Sequence, residues 1–474
     1  MKNRKLRIFH INDIHSRFEE LAKIATGIKK YKDFNSILLD AGDNADFMRI
    51  ETEGTQGEIS SAILNEIGFH ARIFGNNEGF AGIVNGKIIA ESSKCEVLTC
   101  NIYDIEGNKL NFLKDAAIIE INNIKILLIG VTASSPSYNE FYKLANMITK
   151  DPIKEINRVL SNYKKQEFNL IILISHLGLK FDKIITKEFP SINIIIGGHS
   201  HIALKEPTLL NNTIICQAGN YGEYLGILDI ELDDDHSIKD FKGTLISSKN
   251  FSPDPIIVEI IKDYSKKANK YMSKPLFYLK NALPHSLTEE NPLSNFLADS
   301  LRDIFQTDLG IINSGILNNG LEKGVISKLL LLETSPSPLN PTYFELKGVD
   351  IRKSLEKSLI KEIQIQDGSG AGFRGKFLGN LAVSNNARVY LNPESENSYK
   401  INSITIDDKP LDEEKWYSVA SSDYLQRGTG YLEMANNRNE RYDPDYIRDT
   451  LRKYIPKKEI IKQAYQERFI EEEK

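Results

Sequence analysis

Short β-branched and aliphatic runs that stop abruptly in polar residues recur through the first half of this chain. They are LRIFHINDIHS, SILLDAGDN, KILLIGVTAS, NLIILISHLG and INIIIGGHSH. Continuous apolar runs of this length read as buried strands. Helical patterns such as EELAKIATGIKKYKDF and PIKEINRVLSNYKKQ lie between several of them. Strands alternating with helices predict an α/β sheet layered with helices. Ligands of such sheets bind just beyond the carboxyl ends of the strands, and the polar clusters fall there.

A length of 474 residues suits two domains. QAGNYGEYLGILDIELDDDHSIKDF reads as antiparallel strands turning at DDDHS and closes a first domain, 1–250. PDPIIVEIIKDYSKKANKYMSKP has helical spacing between prolines and is assigned as a connecting helix, 251–275. Longer helices, a Gly-rich loop (DGSGAGFRGKF) and scattered strands make a second domain, 276–474. A net charge of −5 gives no electrostatic case for nucleic acid or an anionic membrane. No run of 18 apolar residues would span a bilayer. The basic start is followed by too short an apolar run for a signal peptide, so a cytoplasmic protein is expected. Cys95, Cys100 and Cys216 form no Cys-x-x-Cys pair. Free thiols are expected, and a thiolate zinc site is not.

Five polar clusters carry chemistry: Asp13-Ile14-His15, Gly42-Asp43-Asn44, Gly75-Asn76-Asn77-Glu78, Ser175-His176 and Gly198-His199-Ser200-His201. They hold His15, His176, His199 and His201 of the eight histidines. A single strand-end Asp or His is ordinarily structural, and GNNEG alone is ordinarily a turn; the conjunction is what counts. Imidazole with carboxylate and amide oxygen suits zinc, manganese, iron or nickel, whereas a magnesium-only site would hold less histidine. In Asp-x-His and His-x-His, residues i and i+2 share a face of extended backbone, so one loop can aim two ligands at one region. His10 lies inside a strand and reads as structural. His70, His236 and His285 have no partners in sequence, and the acidic runs 233–235 and 471–473 read as solvated turn and tail.

In the order D-x-H, GD, GN, H, GHxH, these clusters resemble those of the calcineurin-like metallophosphoesterases. IICQAGNYGEYLGILDIEL, NPLSNFLADSLRD, GIINSGI and YFELKGVDI narrow the resemblance to the 5'-nucleotidase family, over nearly the whole chain. It implies a layered α/β/β/α sandwich with a second α/β substrate-binding domain. It also implies two divalent ions (zinc, manganese or iron). Asp13, His15 and His201 would hold the first, Asn76, His176 and His199 the second, and Asp43 would bridge them.

The chain departs from that pattern at two places. Where the family reads Gly-Asn-His-Glu-x-Asp, with the His beside the scissile phosphate, Asn77 and Phe80 replace His and Asp. An amide donates a hydrogen bond but does not titrate near neutral pH, and general acid–base help is worth about 10²–10⁴-fold. Asn77 is expected to point at the phosphate without binding metal, and with Asp43 it forms the expected catalytic pair. In the second domain, Leu317 stands where the family places a substrate-binding Arg, while Asn313 is kept. The resemblance assigns Asn313, Phe373, Arg374 and Tyr424 to substrate, the two rings stacking on a base in a cleft between the domains. The reading is a phosphoesterase acting on a small nucleotide-like phosphate ester. The alternatives are a phosphodiesterase or nucleotide pyrophosphatase (of cyclic nucleotide or UDP-sugar type) and a non-catalytic nucleotide sensor.

Overall fold

The computed structural model describes residues 4–233, 237–368, 373–395 and 398–472. Asp234, Asp235 and His236 of the first acidic turn, Glu473 of the tail, and 369–372 of the Gly-rich loop lie outside the described residues. The chain divides into two compact units, Met1–Tyr271 and Met272–Lys474.

The apolar runs form two six-stranded sheets in the first unit. In one, Arg4–Ile11 runs parallel to Ser36–Asp40, and that strand parallel to Ala71–Ile73. In the other, Ile194–Gly197 runs parallel to both Leu170–His176 and Thr213–Cys216. Alternation along each strand sorts the side chains into layers. Ile8, Ile37, Leu39 and Ile73 meet Leu128, Ile172, Ile174 and Ile196 between the sheets. Phe9, Ile11 and Leu38 point the other way, onto helix residues Leu21, Ile24 and Ile63. Leu127, Ile129, Leu173 and Ile195 pack on Ile156, Val159 and Ile185. This is the expected α/β/β/α sandwich. Truncating a side chain of the central layer to alanine would cost about 2–5 kcal/mol.

The helices carry local signals that agree with their places. Phe18–Tyr31 begins with Glu19 and Glu20 and ends with Lys29 and Lys30, matching the helix dipole. Asp151 caps Pro152–Tyr163 by accepting the Lys154 N–H, with proline in the first turn. Tyr224–Leu232 and Ile238–Ser247 pair antiparallel, and the former also pairs antiparallel with Arg4–Ile11. The helix Pro255–Met272 lays Ile257, Ile260, Ile261 and Tyr264 on the apolar cluster of the first unit.

The second unit holds a five-stranded and a four-stranded sheet. Leu309–Asn313 runs parallel to Trp416–Ser422 in the five-stranded sheet. Leu297 and Leu301 of the helix Pro292–Phe305 share one apolar cluster with Ile311, Phe344 and Val419.

Candidate metal centre

The ligand loops leave their strands with left-handed backbone. Asp13 and His15 have φ of 51° and 47°, Asp43 51°, and His199 and His201 71° and 57°. Non-glycine residues reach this region rarely, at about 1–3 kcal/mol each. The expectation of extended i, i+2 pairs is therefore corrected: tight turns, not a strand edge, aim the ligands. Backbone bonds between the first two loops hold these turns. The N–H groups of Asp13, His15 and Ser16 donate to the carbonyls of Gly42, Asp43 and Asn44.

The turns bring the motif side chains together. Asp13, His15 and His201 place ligand atoms within 4.8 Å of one another, and so do Asp13, Asp43 and His176. Asp13 Oδ1 lies 3.3 Å from His201 Nε2, 3.7 Å from His15 Nε2 and 3.8 Å from His176 Nε2. Asp43 Oδ2 lies 3.2 Å from His176 Nε2. The carboxylate common to both groups is thus Asp13, whereas the resemblance puts the shared one at Asp43. His199 borders the second group, its ring centroid 5.1 Å from that of His176.

These residues fit divalent cations. Among the described residues, Asp13 Oδ1, Asn76 Oδ1 and His176 Nε2 are buried with no well-directed hydrogen bond, and Asp13 Oδ1 and His176 Nε2 face other candidate ligands, a condition that native structures rarely leave unanswered. His15 Nε2 and His201 Nε2 stand 3.2 Å apart, close to the roughly 3.4 Å between two nitrogens tetrahedral about one zinc at about 2.1 Å. His176 donates Nδ1–H to the Ala41 carbonyl at 2.6 Å, which turns the Nε2 lone pair toward the carboxylates.

The electrostatics agree. Burial opposes charge on His176, yet Asp43 and Asp13 outweigh it and hold the imidazole up at about 10. Burial likewise opposes ionisation of Asp13, but His176, His15 and His201 take it well below the carboxylate range. The two carboxylates therefore demand positive charge at this point, which a proton or a cation can supply. His199 goes the other way, to about 4, through burial and then His176, and stays neutral.

Several supports lie behind the ligands. Glu78 lies under both ligand loops: Oε1 accepts the N–H groups of Asn44 and Ala45 at 2.9 Å each, and Oε2 those of Gly75 at 3.1 Å and Asp43 at 3.2 Å. Buried Arg72 reaches Glu78 Oε1 at 3.4 Å and Asp40 Oδ2 at 3.8 Å. A Cβ at Gly75 would stand 2.3 Å from Asp43 Oδ1, so the glycine before Asn76 is required by this close approach. Asn12 donates to Asp13 Oδ2 at 2.8 Å, and Asn220 lies 3.2 Å from His201 Nδ1. Glu78 at least follows the paired asparagines in sequence; Arg72 and Asn12 had no signal of their own.

Asn77 lies at the centre. Its N–H donates to Asp43 Oδ1 at 2.9 Å, and its amide stands 2.9 Å from His15 Nδ1 and 3.1 Å from the Asn76 amide nitrogen. The Asn77 oxygen accepts from the Asn76 amide, and it is the Asn77 amide nitrogen that faces His15. Phe80 sits in an aromatic cluster with Tyr138, Phe141 and Tyr142. Three other histidines have structural places. His70 Nδ1 accepts the Leu38 N–H, His285 lies 3.0 Å from the Ser314 carbonyl, and His10 is buried against Gly226.

In the second unit, Phe373 and Tyr424 do meet, but on each other, at 4.7 Å and 25°. A base between two rings needs about 7–8 Å, two van der Waals layers, and Tyr424 is 1% exposed. Arg374 is exposed and donates to its neighbour's carbonyl. Asn313 is buried, with its Nδ2 on the Leu378 carbonyl, and Leu317 is core. The three cysteines are free, Cys100 and Cys216 in the core. No helix among the described residues is long and apolar enough to cross a membrane.

Two sheets face to face under helices, with an Asp/His centre at their carboxyl edge, form the layered fold of the metallophosphoesterases. The calcineurin-like phosphoesterase family matches residues 6–203, and the 5'-nucleotidase C-terminal domain matches 271–437. The chain belongs to the 5'-nucleotidase-like metallophosphoesterases. It is 26% identical, over 94% of its length and 98% of the relative's, to an uncharacterized metallophosphoesterase, YunD, of Bacillus subtilis. It is 23% identical, over 93% of its length and 85% of the relative's, to a 5'-nucleotidase of Diplobatis ommata. Its fold matches that of the Haemophilus influenzae NAD nucleotidase NadN over the whole of both chains, at a TM-score of 0.67 and 17% identity.

Proposed function

We propose that this chain hydrolyses a nucleotide-like phosphate ester at a two-cation centre held by Asp13, His15, Asp43, Asn76, His176, His199 and His201. The observation that carries this reading is the trio of buried ligand atoms on Asp13, Asn76 and His176 that make no well-directed hydrogen bond among the described residues. When bound, divalent cations of the zinc, manganese or iron class activate water and neutralise phosphoryl charge. The residues of the chain supply the rest. Asp13 and Asp43 set the charge that holds the cations. His176 is fixed by Ala41 and Asn77 steadies His15. Of the second-unit residues proposed to meet the substrate's far end, Arg374 is the exposed one, and Asn313 is as buried as Tyr424. Phe373 and Tyr424 serve there only if their stack opens.

One observation favours a second reading, a phosphodiester or pyrophosphate substrate, and of the two the pyrophosphate, since the leaving group of a phosphodiester is also an alkoxide. Asn77 carries no proton to give an alkoxide leaving group, and a phosphate leaving group needs none. Mono-, di- and cyclic nucleotides and a UDP-sugar, assayed with manganese, zinc or iron and after chelation, test both. Release of phosphate from a mononucleotide supports the first reading, and cleavage confined to diesters or anhydrides the second. No turnover of any substrate by cation-loaded protein sinks both and leaves a nucleotide sensor.

A further inference from the structure

The two positions where this chain abandons the family's imidazole and carboxylate are not empty of structure. Asn77 commits its amide to His15 and Asn76. Phe80 has no polar atom to orient anything, yet its ring lies flat on Tyr138, with centroids 5.6 Å apart and planes at 14°. Tyr138 in turn stands edge-on to His199 at 5.4 Å and 68°. Its backbone is anchored too: Tyr138 lies in the first turn of the helix Pro136–Leu144, and its N–H donates to the capping Ser135 hydroxyl. Stack, edge contact and cap hold the phenol ring beside the metal centre.

The hydroxyl at the end of that ring has no hydrogen-bond partner among the described residues, and the side chain is half-buried. Its ring lies against His199 of the centre, and an ordinary phenol is neutral near pH 7 and so a hydrogen-bond donor. A neutral O–H held beside a cation centre meets an anion by donating to it.

We propose that Tyr138 is a catalytic residue of this centre, its hydroxyl donating a hydrogen bond to the phosphoryl group of the bound substrate, with Phe80 the platform that positions it. This rests on the phosphoesterase reading above. The tyrosine takes over the charge stabilisation that the absent imidazole would give, but no proton leaves it. The aromatic residue in the carboxylate's place then has a purpose, since a flat ring steers a phenol as a carboxylate steers an imidazole.

The test is the variant Tyr138→Phe, which keeps both ring contacts and removes one oxygen. Calorimetric titration of manganese-loaded protein with inorganic phosphate should show a Kd weakened roughly tenfold or more, and kcat/KM should fall roughly 10- to 100-fold. Metal content should equal that of wild type. Phe80→Leu should weaken phosphate binding in the wild-type background and add nothing in the Tyr138→Phe background. Equal Kd and kcat/KM for wild type and Tyr138→Phe overturn the proposal, as does a wild type that binds no phosphate at millimolar concentration. An equal loss from Phe80→Leu in both backgrounds overturns the platform. If wild type binds phosphate through Tyr138 but turns over no substrate, the hydrolase reading fails and the phosphoryl contact stands.

Discussion

Replacing Glu78 by glutamine changes one atom in the buried junction of the two ligand loops. Both carboxylate oxygens act only as acceptors, for four backbone N–H groups and Arg72. Burial and the nearby Asp43 raise its pKa, and Arg72 and the backbone donors oppose them. Since a proton on either oxygen would face an N–H, the ionised form is the one that fits. In Glu78→Gln, one end becomes an NH₂ that must face a pair of N–H groups. The weaker pair is Asp43 and Gly75, at 3.2 and 3.1 Å and without the guanidinium. Two buried donors then lose their acceptor, at about 1–3 kcal/mol each, so the loss should be about 2–6 kcal/mol. That is a large part of the 5–15 kcal/mol typical of a folded domain. Urea unfolding followed by far-UV circular dichroism measures it. Metal analysis of the folded variant should also show weakened cation binding, because the loosened loops carry Asp43 and Asn76. A loss below about 1 kcal/mol with unaltered metal binding would refute the reasoning and mean that Glu78 is already protonated.

Wild type freed of chelators should bind about two ions per chain, as a dinuclear site requires, and Asp13→Asn should reduce the ion count more than Asp43→Asn, because Asp13 belongs to both ligand groups; equal counts for the two variants would count against a shared Asp13. Buried His10 is held neutral down to about 4 by desolvation alone. The unfolded chain takes that proton near 6.5, so this stability is complete above pH 6.5 and fades as pH falls toward 4, by up to about 3 kcal/mol. The difference in unfolding free energy between wild type and His10→Gln, followed from pH 7.5 to 4, should show that slope; a flat difference would mean that His10 charges in the fold. Asn77→His alone should raise mononucleotide turnover less than threefold, because Phe80 offers the imidazole no hydrogen bond; a gain of the full 10²–10⁴-fold of acid–base help would show that orientation is not needed.

Burial was legible in the sequence, because strands buried on both faces must be apolar throughout and so announce where they stop. That placed Asp13, His15, Asp43, His176, His199 and His201 at the carboxyl edge, and the layered fold around them. Backbone conformation was not legible. Positive φ at Asp13, His15 and Asp43 accompanies hydrogen bonds between loops about thirty residues apart, and at His199 one to the distant Asp13, which no local propensity encodes. Tertiary structure alone brought Asp13 into both candidate groups of close ligand atoms, since carboxylate rotamers follow from neighbours such as Asn12 and the His199 N–H. It also closed Phe373 on Tyr424, two rings that the sequence keeps fifty residues apart. Tyr138 had no signal at all: SPSYNEFY reads as an ordinary capped helix. Only packing, which brings a ring from one helix flat onto a ring from another, could place that tyrosine ring beside the centre.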